Sequence, residues 1–413
     1  MNRVVNINFN KLLYQLLCGY ALLIPLDSIL EVFFDIETVF KPYRIFALLI
    51  VGVFALKTIY KWDSNKDLKK DVYLYIVFAI GLIVTLYRMI TTRFYMNYFI
   101  NDSFQLVLYL AVFFVIRHID LTKSRALSIF RFLVTGIILN GVYSFYTFNI
   151  LRYYGRVSGF MDNPNQLALT FIFAIVFAIT IIPELKKLTH KILWLVVILF
   201  SGYLIIISGS RTALLILVIL SAVIMFFSSF KIKFGLVIIG VFIVIFLGIL
   251  RSADFYDRGP LILLNRVTNK QTSDDPRWAL WEGVIEASQQ TNFIGLGIGQ
   301  YKGRFSEFYY DSNNGLIKKM INKGYFLSTH SDFFGLLVIY GIFGLLSYLF
   351  FLMFSAKQIL YEYYGSSDEK SKLFRQLLLL SLVSIVTFSL TAENFNFPFY
   401  WIVLSLSTKT YIN

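Results

Sequence analysis

Residues 192–228 read ILWLVVILFSGYLIIISGSRTALLILVILSAVIMFFS, and Arg211 is the one charged residue in this stretch. It consists of two apolar runs, 192–207 and 211–228, with only three small residues between them. The runs approach or reach the about 17–25 residues that cross a hydrocarbon core of about 30 Å. Because a backbone in lipid must satisfy its own hydrogen bonds, such runs predict helices rather than strands. The stretch therefore predicts two consecutive membrane helices joined by a tight turn at Arg211.

The same apolar pattern extends over the chain of 413 residues, of which 58% are hydrophobic and 15% are charged. The mean hydropathy is +0.70, whereas soluble domains carry about 25% charged residues. The composition and the run lengths predict an all-α, multi-pass membrane helical bundle of about twelve transmembrane helices. The predicted spans are 12–30, 44–60, 73–90, 102–117, 127–149, 165–183, 192–207, 211–228, 234–250, 332–354, 374–391 and 396–409.

One long polar stretch, 251–330, interrupts this pattern between the ninth and tenth predicted helices. We divide the chain into 1–250 with the first nine helices, 251–330 as a partly helical outer loop subdomain, and 331–413 with the last three helices. Asp274-Asp275-Pro276 combines an acidic cap with a proline in the first turn, so it predicts the start of a helix inside the loop.

Two further features of the loop concern its conformation near the membrane. Trp278 and Trp281 follow the predicted helix start, and we expect both near the lipid headgroups, where tryptophan is enriched. The segment 295–299, GLGIG, lacks the spacing and the preceding strand of a dinucleotide fingerprint. We therefore expect a flexible turn in this segment.

The formal net charge is +14, which in a soluble protein would suggest nucleic acid as the partner. In a membrane protein, the lysines and arginines of short loops instead mark the cytoplasmic side. Twelve helices that start inside place 21 of the 38 Lys+Arg residues in inner segments and only 7 in short outer loops. The sequence therefore predicts cytoplasmic termini, an outer 251–330 loop and no nucleic-acid partner.

The basic residues of the two sides also differ in type. The inner segments hold 16 Lys and 5 Arg, whereas the outer segments, with the long loop included, hold 6 Lys and 11 Arg. Arginine stays charged and binds phosphate or carboxylate through two parallel hydrogen bonds. The outer excess of arginine therefore indicates a phosphate-bearing or acidic ligand. Snorkelling of long side chains to headgroups is the alternative explanation.

Arg211 is the first candidate for binding such a ligand. It begins the eighth predicted helix, and Ser208, Ser210 and Thr212 surround it with hydroxyl groups. A guanidinium beside helix-start amides suits an anionic headgroup, and arginines near the bilayer are candidates for function. A purely topological stop signal is the alternative.

His330 is the candidate general base. It is one of three histidines, and it directly precedes the tenth predicted helix on the outer face. The positive end of the helix dipole favours a neutral imidazole, which a general base requires. Asp332 follows two residues later, where a helical geometry would point its side chain away from His330, so we expect Asp332 to cap the helix. A histidine with structural contacts only is the alternative.

A further polar cluster lies before the sixth predicted helix. Arg156 is a candidate ligand there, and Asn163-Pro164-Asn165 predicts a turn into the helix with asparagine as the cap. Familiar metal and nucleotide sites are not evident: the outer face has a single histidine and no cysteine, and no P-loop, nucleophile elbow or paired CxxC occurs. We expect a site without metal and without cofactor.

The order of these motifs resembles the bacterial O-antigen polymerase and O-antigen ligase superfamily of GT-C-type membrane glycosyltransferases. The resemblance covers about residues 150–346, and the number of spans and the position of the long loop agree with it. One departure is that the family's histidine is often followed by asparagine, whereas Ser331 follows here. The motifs are GFMDNPNQLA (159–168), SGSRTALL (208–215), PRW (276–278), GLG (295–297), THSDFF (329–334) and YGIFGLL (340–346).

The resemblance implies a reaction and a set of residue roles. The donor would be a polyprenyl-diphosphate-linked oligosaccharide, and transfer would occur at the outer face of the bacterial inner membrane without metal or nucleotide sugar. Arg211 and Arg277 would bind the donor diphosphate, and His330 would be the catalytic base. Further candidate diphosphate ligands are Arg156 and Arg304, and the supporting residues are Asn163, Asn165 and Asp332.

The leading hypothesis is a polymerase that joins lipid-linked repeat units into O-antigen or another surface polysaccharide, with inversion at the anomeric carbon. The alternative within the family is an O-antigen ligase that passes the glycan to a lipid A core. A transporter or flippase of lipid-linked sugars is a hypothesis of a different class, disfavoured because charges crowd one surface and no internal repeat is visible. Besides the donor, the glycan acceptor and the bilayer, this hypothesis allows a chain-length co-polymerase as a partner.

Overall fold

The computed structural model describes residues 8–34, 41–60, 71–150, 156–161, 163–227, 276–309, 315–324, 326–409 and 411. Throughout these ranges the regular secondary structure is helical, and no strand is present in them. The all-α class is therefore confirmed. The helices of the described ranges, numbered in chain order, are α1 (Phe9–Leu23), α2 (Ile29–Phe34), α3 (Pro42–Tyr60), α4 (Asp71–Thr91), α5 (Met96–His118), α6 (Lys123–Phe145), α7 (Pro164–Ile181), α8 (Leu188–Ser208), α9 (Arg211–Phe227), α10 (Pro276–Gln290), α11 (Gln300–Gly303), α12 (Phe305–Tyr309), α13 (Gly315–Asn322), α14 (Asp332–Gly365), α15 (Glu369–Ser389) and α16 (Pro398–Thr408).

Nine helices of the described ranges are long and apolar enough to cross a membrane, namely α1 with its 3₁₀ extension, α3 to α8, α14 and α15. Helix α9 is apolar but shorter, and α16 has 11 residues, or about 16 Å at about 1.5 Å per residue. The predicted span 234–250 lies outside the described residues. A membrane bundle is therefore confirmed, while the count of twelve stays a prediction.

The core of the bundle is formed by its short last helix. Every residue of α16 is buried, and Trp401 is fully enclosed. Helix α16 packs against α5 and α15, and α15 in turn packs against α7, which is itself mostly buried. A segment predicted as an ordinary membrane span therefore lies inside the bundle and not at its lipid-facing surface.

The connections between helices gather at two ends of the bundle. At one end, Ser28 N–H donates to the Phe160 carbonyl (3.1 Å), and Arg88 Nε donates to the Gly295 carbonyl (3.0 Å). We call this the loop end; its described residues fall within 24–34, 91–96, 156–163, 208–211, 276–331 and 390–397. Among the described arginines that were predicted to lie outside, Arg93, Arg156, Arg211, Arg277 and Arg304 therefore share one end of the bundle.

The opposite end of the bundle has its own set of polar contacts. Lys123 Nζ donates to Ser371 Oγ (2.7 Å), and Lys409 Nζ donates to the Arg117 carbonyl (2.8 Å). This alternation of ends agrees with the predicted order of membrane crossings. Which end faces the cytoplasm stays a prediction.

Helix α14 is interrupted at Gly341, where φ is 73° and ψ is −175°. The interruption lies about 14 Å along the helix from its start. It releases backbone groups that a continuous helix would pair, and in a membrane each unpaired group carries a substantial free-energy cost. Residues 293–297 of the loop supply the partners: Leu296 N–H donates to the Val338 carbonyl (2.8 Å), Gly297 N–H to the Ile339 carbonyl (3.0 Å), and Ile342 N–H to the Phe293 carbonyl (2.9 Å).

We call residues 293–299 the glycine strap, because close backbone approach requires glycine in it. A Cβ at Gly295 would lie 2.6 Å from the Ile339 carbonyl oxygen, and φ there is 104°. Beyond it, Ile298 N–H donates to Thr85 Oγ1 of α4 (2.9 Å). The expectation of a flexible turn in 295–299 is therefore wrong: the segment is bonded to two membrane helices along its length.

The glycine strap predicts an asymmetry among glycine substitutions. Gly341→Ala and Gly295→Ala should each destabilise the protein by at least about 1–3 kcal/mol, because both positions have left-handed φ values and carbonyl oxygens beside them. Gly52→Ala, in helix α3 with open space around the added Cβ, is the matched control and should leave stability unchanged or slightly raised. Thermal unfolding in detergent measures the difference; equal melting temperatures for all three variants would contradict the strap.

Candidate functional site

His330 lies in an unusual backbone conformation immediately before α14. Its φ is +51°, in the left-handed region that is uncommon for residues other than glycine. Its side chain is partly exposed at the loop end. A residue in such a conformation costs of order 1–3 kcal/mol and persists only when its surroundings fix it.

The surroundings of His330 do fix the chain on both sides of it. The Trp281 indole N–H of α10 donates to the Thr329 carbonyl (3.0 Å). The Ser331 hydroxyl donates to the carbonyl of Ser389 at the end of α15 (3.2 Å), and the Thr329 hydroxyl donates to the Ser331 carbonyl (2.8 Å). His330 is therefore the one residue of this turn whose backbone is strained while its neighbours are bonded to two helices.

Asp332 does not cap the helix that it begins, so this expectation is wrong. Its fully buried carboxylate accepts hydrogen bonds from Asn394 N–H (2.6 Å), Asn394 Nδ2 (2.9 Å) and Phe395 N–H (3.3 Å). Ser331 is the N-cap residue, and its side chain makes no capping bond. The carboxylate instead joins α14 to the connection 390–397, and it supports the site by holding that connection in place.

Arg156 is bonded to the region around α8 and α7. Its Nε donates to the Ser208 carbonyl (3.0 Å), and its Nη2 donates to Asn165 Oδ1 (2.8 Å). Asn163 is the N-cap of α7 and accepts a hydrogen bond from Asn165 N–H (2.8 Å), so the predicted cap is confirmed. Asn165 therefore orients the guanidinium of Arg156, and Asp162 lies outside the described residues.

Arg211 is the first residue of α9, directly after a two-residue turn. Gly209 ends α8 in the left-handed conformation with φ 62°, and Ser210 Oγ accepts from Ala213 N–H (3.3 Å) as the cap of α9. The hydroxyls of Thr212 and Thr391 hydrogen bond at 2.9 Å. Arg211 therefore lies next to Thr212, which contacts the connection 390–397. Asp332 bonds to the same connection, and Ser331 bonds to Ser389 directly before it.

Arg277 lies in the first turn of α10, which begins at Pro276 as the sequence predicts. It precedes Trp281 by four residues, so the two share one face of the helix. Trp278 is 66% exposed, whereas the Trp281 ring stacks on Phe334 of α14 with centroids 5.1 Å apart. Trp281 therefore packs on α14 beside the His330 turn, and the position of both tryptophans relative to the lipid headgroups stays a prediction.

Four of the predicted site residues therefore lie at the loop end of the bundle. We call this set, Arg156, Arg211, Arg277 and His330, the cationic ridge. Its residues come from separate stretches of the chain, at or near the starts of α7, α9, α10 and α14. Each guanidinium can donate two parallel hydrogen bonds to a phosphate group.

Arg304 is placed differently from the cationic ridge. Its Nε lies 2.6 Å from Glu307 Oε2, and its guanidinium lies over the Phe308 ring at 5.1 Å. Its charge also acts on Arg88 of α4. None of its contacts with described residues joins it to the cationic ridge, so its role as a diphosphate ligand stays a prediction.

A cleft opens at the loop end beside the turn that carries His330. The space within and in front of it measures about 640 Å³ with open solvent included, and its enclosed part is narrow. The charged residues that line it are Asp102 of α5, Lys302 of α11, Asp332 and Glu393. Lys302 Nζ lies 2.6 Å from Asp102 Oδ1, a pair that joins the long loop to the bundle.

Glu393 forms the wall of the cleft nearest to His330. Its carboxylate accepts hydrogen bonds from the Ser328 hydroxyl and from Thr329 N–H. Burial raises the pKa of this carboxyl above its usual value; the Lys302 ammonium offsets part of the rise, and the Asp102 carboxylate adds to it. Glu393 therefore holds the chain just before His330 and is a functional candidate that sequence reasoning missed.

A signal for part of this cleft is present in the sequence. Asp102 lies in a predicted membrane span, and ionisable residues in such spans are candidates for function. Glu393 lies in the polar connection between the last two predicted spans. What no local pattern could indicate is the pairing of Asp102 with Lys302, two hundred residues apart. Within the described ranges, no three His, Cys, Asp or Glu side chains lie together as a metal site would require.

Comparison with known proteins gives one match. Residues 194–349 match the model of a family described as O-antigen ligase. This segment includes Arg211, Arg277, Arg304 and His330, whereas Arg156 and the 159–168 motif precede it. No curated protein matches the chain. This match confirms the predicted resemblance to the O-antigen ligase and polymerase superfamily over residues 194–349.

Proposed function

We propose that the protein transfers a glycan from a polyprenyl diphosphate to a hydroxyl group of an acceptor glycan, and that it acts as a polymerase. The observations that carry this proposal are the strained and fixed backbone of His330 and the presence of Arg156, Arg211 and Arg277 at the same end of the bundle. The ridge lies at one end of a membrane bundle, where a lipid anchor can remain in the bilayer while its headgroup reaches the arginines.

The proposed reaction balances without a further reactant. The acceptor oxygen attacks the anomeric carbon, the bond from that carbon to the phosphate oxygen breaks, and its electron pair leaves with the diphosphate. His330 takes the proton of the acceptor hydroxyl, so the imidazole gains one positive charge while the departing diphosphate gains one negative charge. In-line attack by a single nucleophile inverts the configuration at the anomeric carbon.

The arginines would supply the largest part of the rate enhancement. Negative charge builds on the diphosphate as the bond breaks, and fixed donors aimed at developing charge stabilise the transition state more than the ground state. Arg156 is oriented by Asn165 and by the Ser208 carbonyl, so little reorganisation is required when the charge develops. Arginines of this kind can take the role of a divalent cation at a diphosphate leaving group.

Two other functions have observations in their favour. The family match carries the description O-antigen ligase, which supports transfer to a lipid A core. The break in α14 resembles the discontinuous helices of transporters. However, the glycine strap occupies the backbone groups of that break, whereas transporters leave them open to substrate. The transporter hypothesis is therefore the weaker of the two.

The chemistry predicts different losses for ridge and control variants. In proteoliposomes supplied with purified lipid-linked repeat units, His330→Ala should reduce glycan transfer by about 10²–10⁴-fold. Arg211→Ala should reduce it by about 10²–10³-fold, as loss of one charge-stabilising donor does. His190→Ala and Arg131→Ala, both exposed, are matched controls that should retain wild-type activity. Products separated by gel electrophoresis give the rates; unchanged chain growth in both ridge variants would refute the mechanism.

The polymerase and the ligase differ in the product that accumulates when the protein is lost. If the protein is the polymerase, deletion of its gene should leave surface glycan with a single repeat unit on the acceptor. Deletion of a ligase should leave no repeat unit there. Complementation with the wild-type gene is the control, and an acceptor without any repeat unit would overturn the polymerase proposal in favour of the ligase.

We further propose that the loop end faces the outside of the cell membrane. A membrane-impermeant maleimide applied to intact spheroplasts should label Lys319→Cys in α13, which is exposed at the loop end. It should label Ser367→Cys, exposed at the opposite end, only after permeabilisation. The native Cys18 is buried and should give no background. Labelling of Ser367→Cys alone in intact spheroplasts would reverse the orientation.

A further inference from the structure

The cleft adjoins the turn that carries His330 through helices other than those associated with Arg156 and Arg211. Arg156 bonds to residues of α7 and α8, Arg211 begins α9, and α7 and α9 both pack against α15. The cleft is formed by α5, which packs against α16 and α11, and by α14, which packs against α4. Carboxylates predominate among the charged residues that line the cleft.

The cleft carries mainly negative charge, whereas the cationic ridge carries positive charge. Asp102, Asp332 and Glu393 face a single cation, Lys302, which is already paired with Asp102. The Asp332 carboxylate is also committed, since it binds Asn394 and Phe395. The carboxylate oxygens of Asp102 and Glu393 are the acceptors that the cleft can offer to a ligand. A diphosphate would be repelled there.

Tyr340 shows that the cleft is built to take a polar group. The residue is 5% exposed and lines the cleft, and its hydroxyl makes no hydrogen bond with any residue that the structure describes. It lies within electrostatic reach of both Asp102 and Glu393. The hydroxyl oxygen retains accessible surface, so a ligand in the cleft with hydroxyl groups of its own can bond to it. This observation is independent of the carboxylates.

The geometry of displacement decides which substrate belongs in the cleft. An in-line attack requires the nucleophile and the leaving group on opposite sides of the anomeric carbon. If the diphosphate binds at the cationic ridge, as the proposed function requires, the acceptor hydroxyl must approach His330 from a side that the arginines do not occupy. No arginine is among the described residues that line the cleft, and Ser328 and Thr329, which do line it, lead directly to His330.

We propose that the cleft binds the terminal sugar of the acceptor glycan, a neutral or amino sugar whose hydroxyl or ammonium groups bond to Asp102, Glu393 and Tyr340. The enclosed part of the cleft is narrow, so these substituents enter it while the ring remains at the mouth, against Tyr301 and Phe395. Carboxylates and aromatic rings together suit the hydroxyls and the apolar faces of a sugar. Acidic sugars are excluded by charge.

The test uses the full-length protein in nanodiscs and the repeat-unit oligosaccharide released from its lipid by mild acid. Tyr340→Phe removes only the unpaired hydroxyl, so it should preserve the melting temperature while it weakens binding of this probe by about 3- to 10-fold. Tyr361→Phe, on the exposed far end of the same helix, is the matched control and should bind as the wild type does. Asp102→Asn should weaken binding by about tenfold or more.

A competition experiment tests the charge of the ligand. Glucosamine should displace the oligosaccharide from the wild type at a concentration at which glucuronate does not. Equal displacement by the two sugars would overturn the assignment to neutral or amino sugars. Wild-type affinity in both Tyr340→Phe and Asp102→Asn, or an equal loss in Tyr361→Phe, would overturn the acceptor site.

Turnover separates failure of this inference from failure of the proposed function. Binding is measured without donor, so it remains informative even if no glycan transfer occurs. With lipid-linked donor at saturation, Tyr340→Phe should raise the KM for the released oligosaccharide and leave kcat within about twofold. If chain growth is active and the KM of Tyr340→Phe is unchanged, the proposed glycosyltransferase function stands and the cleft is rejected as its acceptor site.

Discussion

A helix that crosses hydrocarbon must satisfy its own backbone hydrogen bonds, and α14 does not do so at Gly341. The glycine strap satisfies them instead, so the long polar loop is joined to the membrane bundle by main-chain bonds and not by surface contacts alone. The same helix begins directly after His330. One set of hydrogen bonds, between the broken helix α14 and residues 293–297 of the loop, therefore helps to fix three features. These are the position of His330, the path of the loop and the location of α10.

This dependence explains why the site combines elements that are remote in the chain. Trp281 connects α10 to the His330 turn, Ser331 connects that turn to α15, and Asp332 connects it to the connection 390–397. Each bond involves a main-chain group on at least one side, so substitution of a single neighbouring side chain leaves much of the arrangement intact. The strained φ of His330 is the local cost of this arrangement.

The sequence predicted those parts of the fold that follow from local pattern. Run length and hydropathy predicted the described spans to within a few residues at most ends, and Asn163 and Pro276 were correctly predicted to mark helix starts. The prediction failed where partners distant in the chain decide. The strap resembled a flexible turn because its bonding partners are backbone groups of α14, and the burial of α16 depends on which helices surround it.

The same distinction, between local signals and partners distant in the chain, applies to the candidate site. The outer excess of arginine indicated Arg156 and Arg211, and the position directly before a predicted helix indicated His330. Both signals are local in the sequence. Arg304 carries the same local signal, yet its contacts are with Glu307 and Phe308, away from the ridge. Composition cannot distinguish such an arginine from one that binds the diphosphate, because the difference depends on which surface of the loop faces the bundle.

On the proposed reaction, the charges near the turn that carries His330 have separate tasks. Carboxylates near a general base stabilise the imidazolium that forms once the proton is taken, and guanidinium groups stabilise the negative charge that develops on a diphosphate leaving group. Glu393 bonds to Thr329 N–H directly before His330, and Thr391, two residues earlier, bonds to Thr212 beside Arg211. One short connection, 390–397, therefore links a carboxylate of the cleft to the start of the helix that carries Arg211. The proposed reaction requires this connection to hold both kinds of charge near the turn that carries the base.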